Sequence, residues 1–204
     1  ERPFYQREDP RVSSKSVINL IPHMASGNNP TLFDHHMEET GEWFSPPQAA
    51  RTLVTAQAYG LAGPCNPKLK LYFTEGTAMG GISFMVGGES MFETLLLNLV
   101  KYPDEELSGA ASPDDRPAWE MDDPFQPDRE FPFGYLDFLT WQNRRVQLIP
   151  ENDKGNLGVR EMLMAPGLRL QPEVLDPFKH YRIDEQRGYL AQRFSEDRAL
   201  WRDS

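Results

Sequence analysis

The sequence predicts an α+β fold in which short, mostly antiparallel sheets are mixed with a few helices and long loops. Helical and extended patterns do not alternate regularly along the chain, which argues against a doubly wound parallel sheet. The chain has 204 residues, of which 39% are hydrophobic, so it can build one substantial core. Its 18 prolines predict many loops and short elements, because proline ends helices and cannot donate to a sheet.

Two capping patterns predict helices. Ser45–Gln48 combines a capping serine, a proline suited to the first helical position and a glutamine that completes a capping box. Apolar residues follow at helical spacing, and Gly60 is a natural stop. Ser90 and Glu93 form a second capping box, which predicts a helix over Met91–Val100.

Extended segments are predicted where β-branched and aromatic residues run between turn residues. Asp153–Asn156 is a turn, so its flanking strands should form a hairpin, and a second hairpin is expected around Gly188. We expect one domain over residues 1–204. The predicted strands are Lys68–Phe73, Ile82–Val86, Phe138–Trp141, Arg144–Ile149, Val159–Met164, His180–Ile183 and Tyr189–Phe194, and a short helix is expected after Ser195.

The charge of the chain is concentrated in one segment. The net charge of -10 argues against a free-standing nucleic-acid binder, since such proteins usually carry a basic excess. Pro103–Glu130 holds ten acids and two bases and so contributes -8, while the remaining 21 acids and 19 bases nearly balance. We expect residues 103–130 to form an acidic, proline-rich loop. Its charge either serves solubility alone or meets a basic neighbour.

The cysteine content and the hydropathy pattern indicate a cytoplasmic protein. Cys65 is the single cysteine, so no disulfide framework is predicted. No apolar run reaches the roughly 18 residues that a membrane helix needs, and no signal peptide is apparent. Because the chain begins at Glu1 inside a patterned segment, we expect it to be a fragment of a longer protein.

Catalytic patterns are weak throughout. Asp34-His35-His36 occurs in metal-dependent phosphoesterases, but such a site needs further ligands, and the chain has only four histidines. Exposed polar residues at the end of a loop are the simpler interpretation. Cys65 is favoured as an inert thiol. Gly60–Gly63 lacks the Lys-Ser/Thr pair of a P-loop, and Gly87-Gly88 lacks dinucleotide-binding spacing.

A loop of small and amide-bearing residues, Pro22–Thr31, lies between two apolar anchors. Amides read base edges without charge, because one planar group offers both a donor and an acceptor. Glycine and serine allow close approach of a backbone. Composition alone leaves two interpretations open, a nucleic-acid contact and an ordinary surface loop.

The residues around this loop resemble a known family. Residues 18–35 read INLIPHMASGNNPTLFDH, which is similar to a signature of the CasA family, the large subunit of the type I-E CRISPR surveillance complex Cascade. Other family landmarks follow the same order along the chain. They are Arg2–Gln6, Pro46–Tyr59, Gly60–Gly63, Gly80–Val100, Pro117–Trp119, Tyr135–Trp141, Leu175–Pro177 and Arg198–Asp203.

The resemblance implies a non-catalytic subunit at the foot of Cascade in the bacterial cytoplasm. Its implied partners are other Cascade subunits, the 5′ handle of the guide RNA, the protospacer-adjacent motif (PAM) of double-stranded target DNA, and a helicase-nuclease that degrades the target. The PAM would be read from the minor groove. The chain would be part of the large N-terminal domain, with a preceding portion and the C-terminal helical bundle lying outside it.

The resemblance also implies site residues. The family's first DNA- and handle-contacting loop falls on Ile21–Thr31, its PAM-facing glycine loop on Gly60–Gly63, and its basic finger on Met164–Leu170. The implied nucleic-acid-binding residues are Ser26, Gly27, Asn28, Asn29, Thr31, Gly60, Leu61, Ala62, Gly63 and Arg169.

This chain departs from the family in one respect. Some members bind zinc through paired cysteines near the first loop and the later hairpin, and those cysteines are absent here. We therefore expect no zinc and no other cofactor. A phosphoesterase built on Asp34-His35-His36 and a purely structural scaffold subunit remain the alternatives.

Overall fold

The computed structural model describes residues 3–21, 43–99, 112–126 and 129–195. The helices in these ranges are α1 (Pro46–Tyr59), α2 (Met91–Leu97) and α3 (Tyr135–Leu139). The strands are β1 (Lys15–Ser16), β2 (Gly63–Asn66), β3 (Leu71–Phe73), β4 (Arg144–Asp153), β5 (Asn156–Pro166), β6 (Tyr181–Asp184) and β7 (Gly188–Ala191). They form three antiparallel sheets of two or three strands, which confirms the predicted α+β class.

Contacts between residues group the chain into two compact units. Unit 1 comprises Glu1–Met79, Ala118–Pro127 and Trp141–Arg169, and unit 2 comprises Gly80–Pro117, Asp128–Thr140 and Leu170–Ser204. Each unit is therefore assembled from segments that are distant in sequence. The expectation of a single domain over residues 1–204 stays a prediction.

A long hairpin forms the centre of unit 1. β4 and β5 pair from Arg144↔Pro166 to Asp153↔Asn156, and β1 adds to the far side of β5, so the sheet order is β1-β5-β4. Lys154 and Gly155 have φ of 52° and 91°, as a two-residue hairpin turn of the favoured twist requires. Both predicted strands and the predicted turn are confirmed, and the strands run further than the pattern indicated.

Helix α1 covers this sheet. Ala49, Leu53 and Ala56 lie on its buried face and are at most 2% exposed. The helix begins after Ser45, but no side-chain hydrogen bond caps it, so the predicted capping box does not form. Pro47 removes one of the two N–H groups that a capping serine usually bonds, and the bond to the other, Gln48 N, is not made. The core of unit 1 also includes Val17, Leu20, Phe44, Val146, Val159, Met162 and Met164.

The N-terminal segment is held to β4 by hydrogen bonds. Arg7 N donates to Val146 O at 2.7 Å, and Gln6 Oε1 accepts from Leu148 N at 2.8 Å. Asp9 lies just beyond, 2% exposed, and its carboxylate accepts from Arg11 N at 3.0 Å and Nη2 at 2.6 Å. These bonds give a buried charge in unit 1 its partners.

Replacing Asp9 with asparagine should destabilise unit 1 by about 1–3 kcal/mol at neutral pH. Hydrogen bonding from Arg11 lowers the pKa of Asp9 below its ordinary 3.8. A lowered folded pKa means that the stabilisation is present above the unfolded pKa and is lost as pH falls through the folded one. Denaturant unfolding at several pH values measures the free energy of unfolding of both proteins. The difference between the wild type and the variant should therefore become smaller below about pH 4. A deficit that stays constant into strong acid would contradict this account.

Unit 2 corrects two predicted strands. Phe138–Trp141 was expected to be extended, but Phe138 lies in helix α3 and is buried against Val174. The helix forms because Asp115 accepts hydrogen bonds from the N–H groups of Leu136 and Asp137 at 3.3 and 2.9 Å. Ile82–Val86 contributes only an isolated bridge, Ser83↔Lys179, rather than a strand.

The other predictions for unit 2 are largely confirmed. Ser90 Oγ accepts from Glu93 N at 3.1 Å and caps α2, which ends at Leu97 instead of Val100. The Glu93 carboxylate accepts from Glu89 N rather than from Ser90 N, so the capping box is shifted by one residue. The hairpin around Gly188 forms from β6 and β7, and Gly188 has φ of 74°. The helix expected after Ser195 lies outside the described residues.

The described part of the acidic segment is packed. Residues 112–126 contain no helix or strand, as expected for a loop, but Ala118, Met121 and Phe125 are buried in unit 1. The guanidinium of Arg145 stands 4.4 Å from the centre of the Phe125 ring. In unit 2, Asp115 caps α3 as described above. Solubility is therefore not the only contribution of this segment.

Candidate nucleic-acid interface

The predicted site residues fall into two groups. Ser26, Gly27, Asn28, Asn29 and Thr31 lie outside the described residues, as do Asp34, His35 and His36, so their assignments stay predictions. Gly60–Gly63 and Arg169 are described, and both belong to unit 1.

The glycine loop Gly60–Gly63 connects α1 to β2. Gly60 follows the last helical residue in an extended conformation, with φ of -65° and ψ of 140°. Its carbonyl accepts from Gly76 N at 2.8 Å, while Leu61 and Ala62 are exposed. Gly63 opens β2 and pairs with Phe73 of β3. Both ends of the loop are thus fixed by regular structure, and its middle faces solvent.

A buried arginine lies beneath the loop. Arg144, the first residue of β4, is 4% exposed, and its Nη2 donates to Leu61 O at 2.7 Å. Its guanidinium also bonds Asn143 Oδ1 and stands 5.1 Å from the Phe73 ring centre. Within the described residues it has no carboxylate partner. Burial lowers the pKa of Arg144 to about 10, so it remains charged at neutral pH.

Gln57 ties the end of α1 to the start of β4. Its Nε2 donates to Arg144 O at 2.8 Å, and its Oε1 accepts from Arg144 N at 3.1 Å. Asn143 Nδ2 donates to the Gln57 carbonyl. These buried bonds fix the backbone from which the Arg144 side chain reaches the loop. Loss of any one of them would leave a buried polar group without a partner, which lowers the free energy of unfolding.

The two loop glycines meet different surroundings. A Cβ on Gly60 would lie 2.1 Å from Arg144 Cζ, which is far inside van der Waals contact. A Cβ on Gly63 would have no heavy atom within 4 Å. Gly60 is therefore required by packing against Arg144, whereas Gly63 leaves open space that a ligand can occupy.

The predicted basic finger, Met164–Leu170, spans the end of β5. Gly167 N donates to Asn143 O and Leu168 N to Gln142 O, both at 2.9 Å, and Arg169 follows as an exposed residue. The glycine loop and the 164–170 segment are thus both attached to residues 142–144. Arg144 pairs with Pro166 in the hairpin while its side chain holds the loop.

Sequence reasoning missed Gln57, Asn143 and Arg144. One signal was present: Gln57 is an amide on the apolar face of α1, four residues after Leu53, where a buried polar group needs partners. The partners themselves are 86 and 87 residues away in sequence, and no local pattern indicates them.

Neither Cys65 nor the side chains that could bind a metal indicate a catalytic centre in the described part of the chain. Burial raises the pKa of the Cys65 thiol, and Sγ lies 3.7 Å from Met164 O, so the thiolate is disfavoured. Among the described residues, no three His, Cys, Asp or Glu side chains group as metal ligands. No described helix is long and apolar enough to cross a membrane.

Comparison with known proteins shows the family. The model of CRISPR-associated protein Cse1 matches residues 1–204. The CRISPR-associated protein CasA/Cse1 of Thermus thermophilus is 36% identical over 215 residues, which cover 100% of this chain and 40% of that protein.

Solved structures agree. Cse1 from Acidimicrobium ferrooxidans is 29% identical with a TM-score of 0.70, covering 98% of this chain and 40% of its own. A chain of a CRISPR RNA-guided surveillance complex is 25% identical with a TM-score of 0.71, and the match covers 100% of this chain and 42% of that one. The chain spans about two-fifths of the length of these relatives. It belongs to the CRISPR-associated Cse1 family, also called CasA.

Proposed function

We propose that this chain is the PAM-facing part of a non-catalytic subunit of an RNA-guided Cascade complex in the bacterial cytoplasm. Family membership supports the assignment, as does the likeness to a chain of a CRISPR RNA-guided surveillance complex. In this proposal the subunit contacts the 5′ handle of the guide RNA, recognises the PAM of duplex DNA and helps to recruit the helicase-nuclease. Sequence along the target is left to base pairing with the guide.

The observation that carries the proposal is the polarity of the glycine loop. Its carbonyls at Gly60 and Leu61 point inward and are taken by Gly76 N and Arg144. Within the described residues, the N–H groups of the exposed Leu61 and Ala62 have no hydrogen-bond partner. The loop therefore offers hydrogen-bond donors to solvent and no bulky polar side chain.

Such a surface matches the minor groove of DNA. The floor of that groove displays acceptor atoms, and its width of about 6 Å admits a backbone of small residues better than long side chains. Because Arg144 already holds the loop in one conformation, little ordering is needed on binding. Phosphate neutralisation can come from other subunits, which is compatible with the net charge of -10.

Replacing Asn28 and Asn29 together with alanine tests the proposal at the predicted first loop. In a reconstituted complex loaded with guide RNA, we expect the preference for a PAM-containing duplex over a PAM-less one to fall by about ten- to a hundredfold. The reason is that each lost base contact costs about 1–3 kcal/mol. Affinity for the PAM-less duplex should change little.

A matched control is available in the same chain. Asn156 is an exposed amide at the start of β5, so Asn156→Ala should leave both affinities unchanged. A double variant that binds both duplexes as the wild type does would support the scaffold interpretation instead. Zinc or manganese at one equivalent per chain, with phosphodiester hydrolysis lost in His35→Ala, would support the phosphoesterase.

A further inference from the structure

The hairpin that follows the glycine loop carries positive charge on an acidic protein. The 32 residues Trp43–Thr74 contain no Asp or Glu and three bases, whereas the whole chain has a net charge of -10. Two of these bases, Lys68 and Lys70, lie at the tip between β2 and β3. A segment with bases and no acids beside the loop favours a polyanionic ligand.

The tip is closed by two hydrogen bonds. Pro67–Leu69 forms a turn of 3-10 helix, capped by Asn66 Oδ1, which accepts from Leu69 N at 3.3 Å. Lys70 N donates to Pro67 O at 3.1 Å and closes the turn. Lys68 and Lys70 are both exposed, and neither has an ion-pair partner in the ranges that the structure describes. This finding also corrects the predicted strand Lys68–Phe73, of which only Leu71–Phe73 is extended.

Lys70 occupies an unfavourable backbone conformation. Its φ of 55° lies in the left-handed region, which a residue with a Cβ adopts at a cost and which glycine or asparagine adopts readily. Lys154 in the turn of the β4–β5 hairpin has the same conformation, with φ of 52°. At Lys70 this conformation ends the 3-10 turn, so the backbone alone assigns no function to the residue. What separates Lys70 from Lys154 is its place beside Lys68 at the hairpin tip that follows the glycine loop.

The hairpin is short enough to follow a duplex held at the glycine loop. β2 runs four residues from Gly63 to Asn66, which spans about 10 Å at roughly 3.3 Å per residue. Duplex DNA carries a phosphate on each strand about every 3.4 Å along its axis, so a span of this length passes about three phosphates. Phosphates line both edges of the minor groove, so a hairpin of this length that runs from the loop along the duplex lies within reach of them.

We infer that Lys68 and Lys70 bind the phosphate backbone of the target duplex next to the glycine loop. This inference rests on the proposed function, which places the duplex at Gly60–Gly63. Duplex DNA is favoured over guide RNA because the hairpin is continuous with the loop through the pairing Gly63↔Phe73. The two lysines would contribute affinity and no base preference.

The test measures duplex affinity as a function of salt in the guide-RNA-loaded complex. Each lost phosphate contact should lower the slope of log K against log salt by about 0.9, so Lys68→Gln with Lys70→Gln should lower it by about 1.8. PAM-containing and PAM-less duplexes should weaken equally, which leaves the preference between them unchanged.

A pair of single variants separates charge from folding. Lys70→Gly should lower the salt slope by about 0.9 while the thermal midpoint stays equal or rises, because glycine relieves the left-handed conformation. Lys154→Gly should shift the thermal midpoint in the same direction and leave DNA binding unchanged. The thermal midpoints of the two variants therefore show whether weaker DNA binding comes from the lost charge or from unfolding.

The outcomes distinguish this inference from the proposed function. If the wild-type complex prefers PAM-containing DNA and the lysine variants keep the wild-type slope, the inference is wrong and the proposed function stands. If the wild-type complex shows no PAM preference, the proposed function is wrong and the inference falls with it. If the DNA slope is unchanged but loading of guide RNA becomes weaker, the lysines contact RNA and the inference is again wrong.

Discussion

Gly60→Ala should destabilise unit 1 by about 1.5–3 kcal/mol and reduce PAM-dependent binding by roughly tenfold or more. The new Cβ would lie 2.1 Å from Arg144 Cζ, so the guanidinium must move. Arginine is flexible, but this one is 4% exposed and bonded to Leu61 O, so movement breaks a buried charged hydrogen bond. The loop then loses its fixed conformation, and its binding-competent fraction falls.

Two other glycines provide controls. Gly63→Ala meets no atom within 4 Å, so stability should match the wild type, yet PAM-dependent binding should fall because the methyl group occupies space left for the ligand. Gly87→Ala, in unit 2, also meets no atom within 4 Å and should change neither property. Thermal unfolding and duplex titration of the three variants check the expectation. A Gly60→Ala protein as stable as the wild type would show that Arg144 does not constrain the loop.

The parts of the fold that could be predicted depend on local signals. Helix α1 was predicted because its apolar residues and proline start lie within 14 residues of one another. The β4–β5 hairpin was predicted because Asp153–Asn156 is a turn between two alternating segments. In these cases propensity, pattern and turn chemistry agree, and tertiary contacts reinforce them.

The errors occur where a distant residue or an adjacent turn decides the structure. Phe138 is helical because Asp115, more than 20 residues earlier, caps α3, and a short aromatic run cannot reveal that. The tip of the β2–β3 hairpin curls because Asn66 and Pro67 build a 3-10 turn, which overrides the extended preference of Lys68–Phe73. The period of the hydrophobic pattern alone does not distinguish short apolar strands from short helices.

The candidate site also contains one feature that the sequence indicates and another that it does not. The position of the glycine loop followed from the family resemblance, and its donor-bearing outer face became visible only with the described backbone. The role of Arg144 was not predictable, since it acts on a carbonyl 83 residues away and lies in a segment expected to be an ordinary strand. Charged residues are common at the start of a strand, and Arg144 differs from most of them because its side chain is buried.

Unit 2 has its own buried charge, which differs from Arg144 in having a counterion. Arg129 and Asp137 form an ion pair in which the side chains are 7% and 0% exposed. Asp137 Oδ2 also accepts from Phe133 N at 2.8 Å, and the Arg129 guanidinium stands 4.9 Å from the Phe133 ring centre. The pair holds the start of α3 against the segment that precedes it.

Arg129→Ala should destabilise unit 2 by about 3–5 kcal/mol, because it leaves a carboxylate buried without its counterion. Arg160→Ala is the control: Arg160 is 36% exposed, pairs with Glu151 and Asp153 at 3.5 and 3.7 Å, and stands 4.9 Å from the Trp43 ring centre, so its loss should cost about 1–2 kcal/mol. Denaturant unfolding of both variants measures the two costs. Equal costs would mean that burial of the Arg129 pair does not matter.

The pH dependence of Arg129→Ala gives a second check with a defined sign. Desolvation already raises the pKa of Asp137 above 3.8, against the lowering effect of Arg129, so removing the arginine should raise it further. A raised folded pKa gives stability that is present below the unfolded pKa and is lost as pH rises through the folded one. The deficit of the variant should therefore shrink as pH falls from neutral, because the buried carboxyl group takes up a proton and no longer needs a counterion. A deficit that grows on acidification would show that Asp137 does not take up a proton in the folded variant.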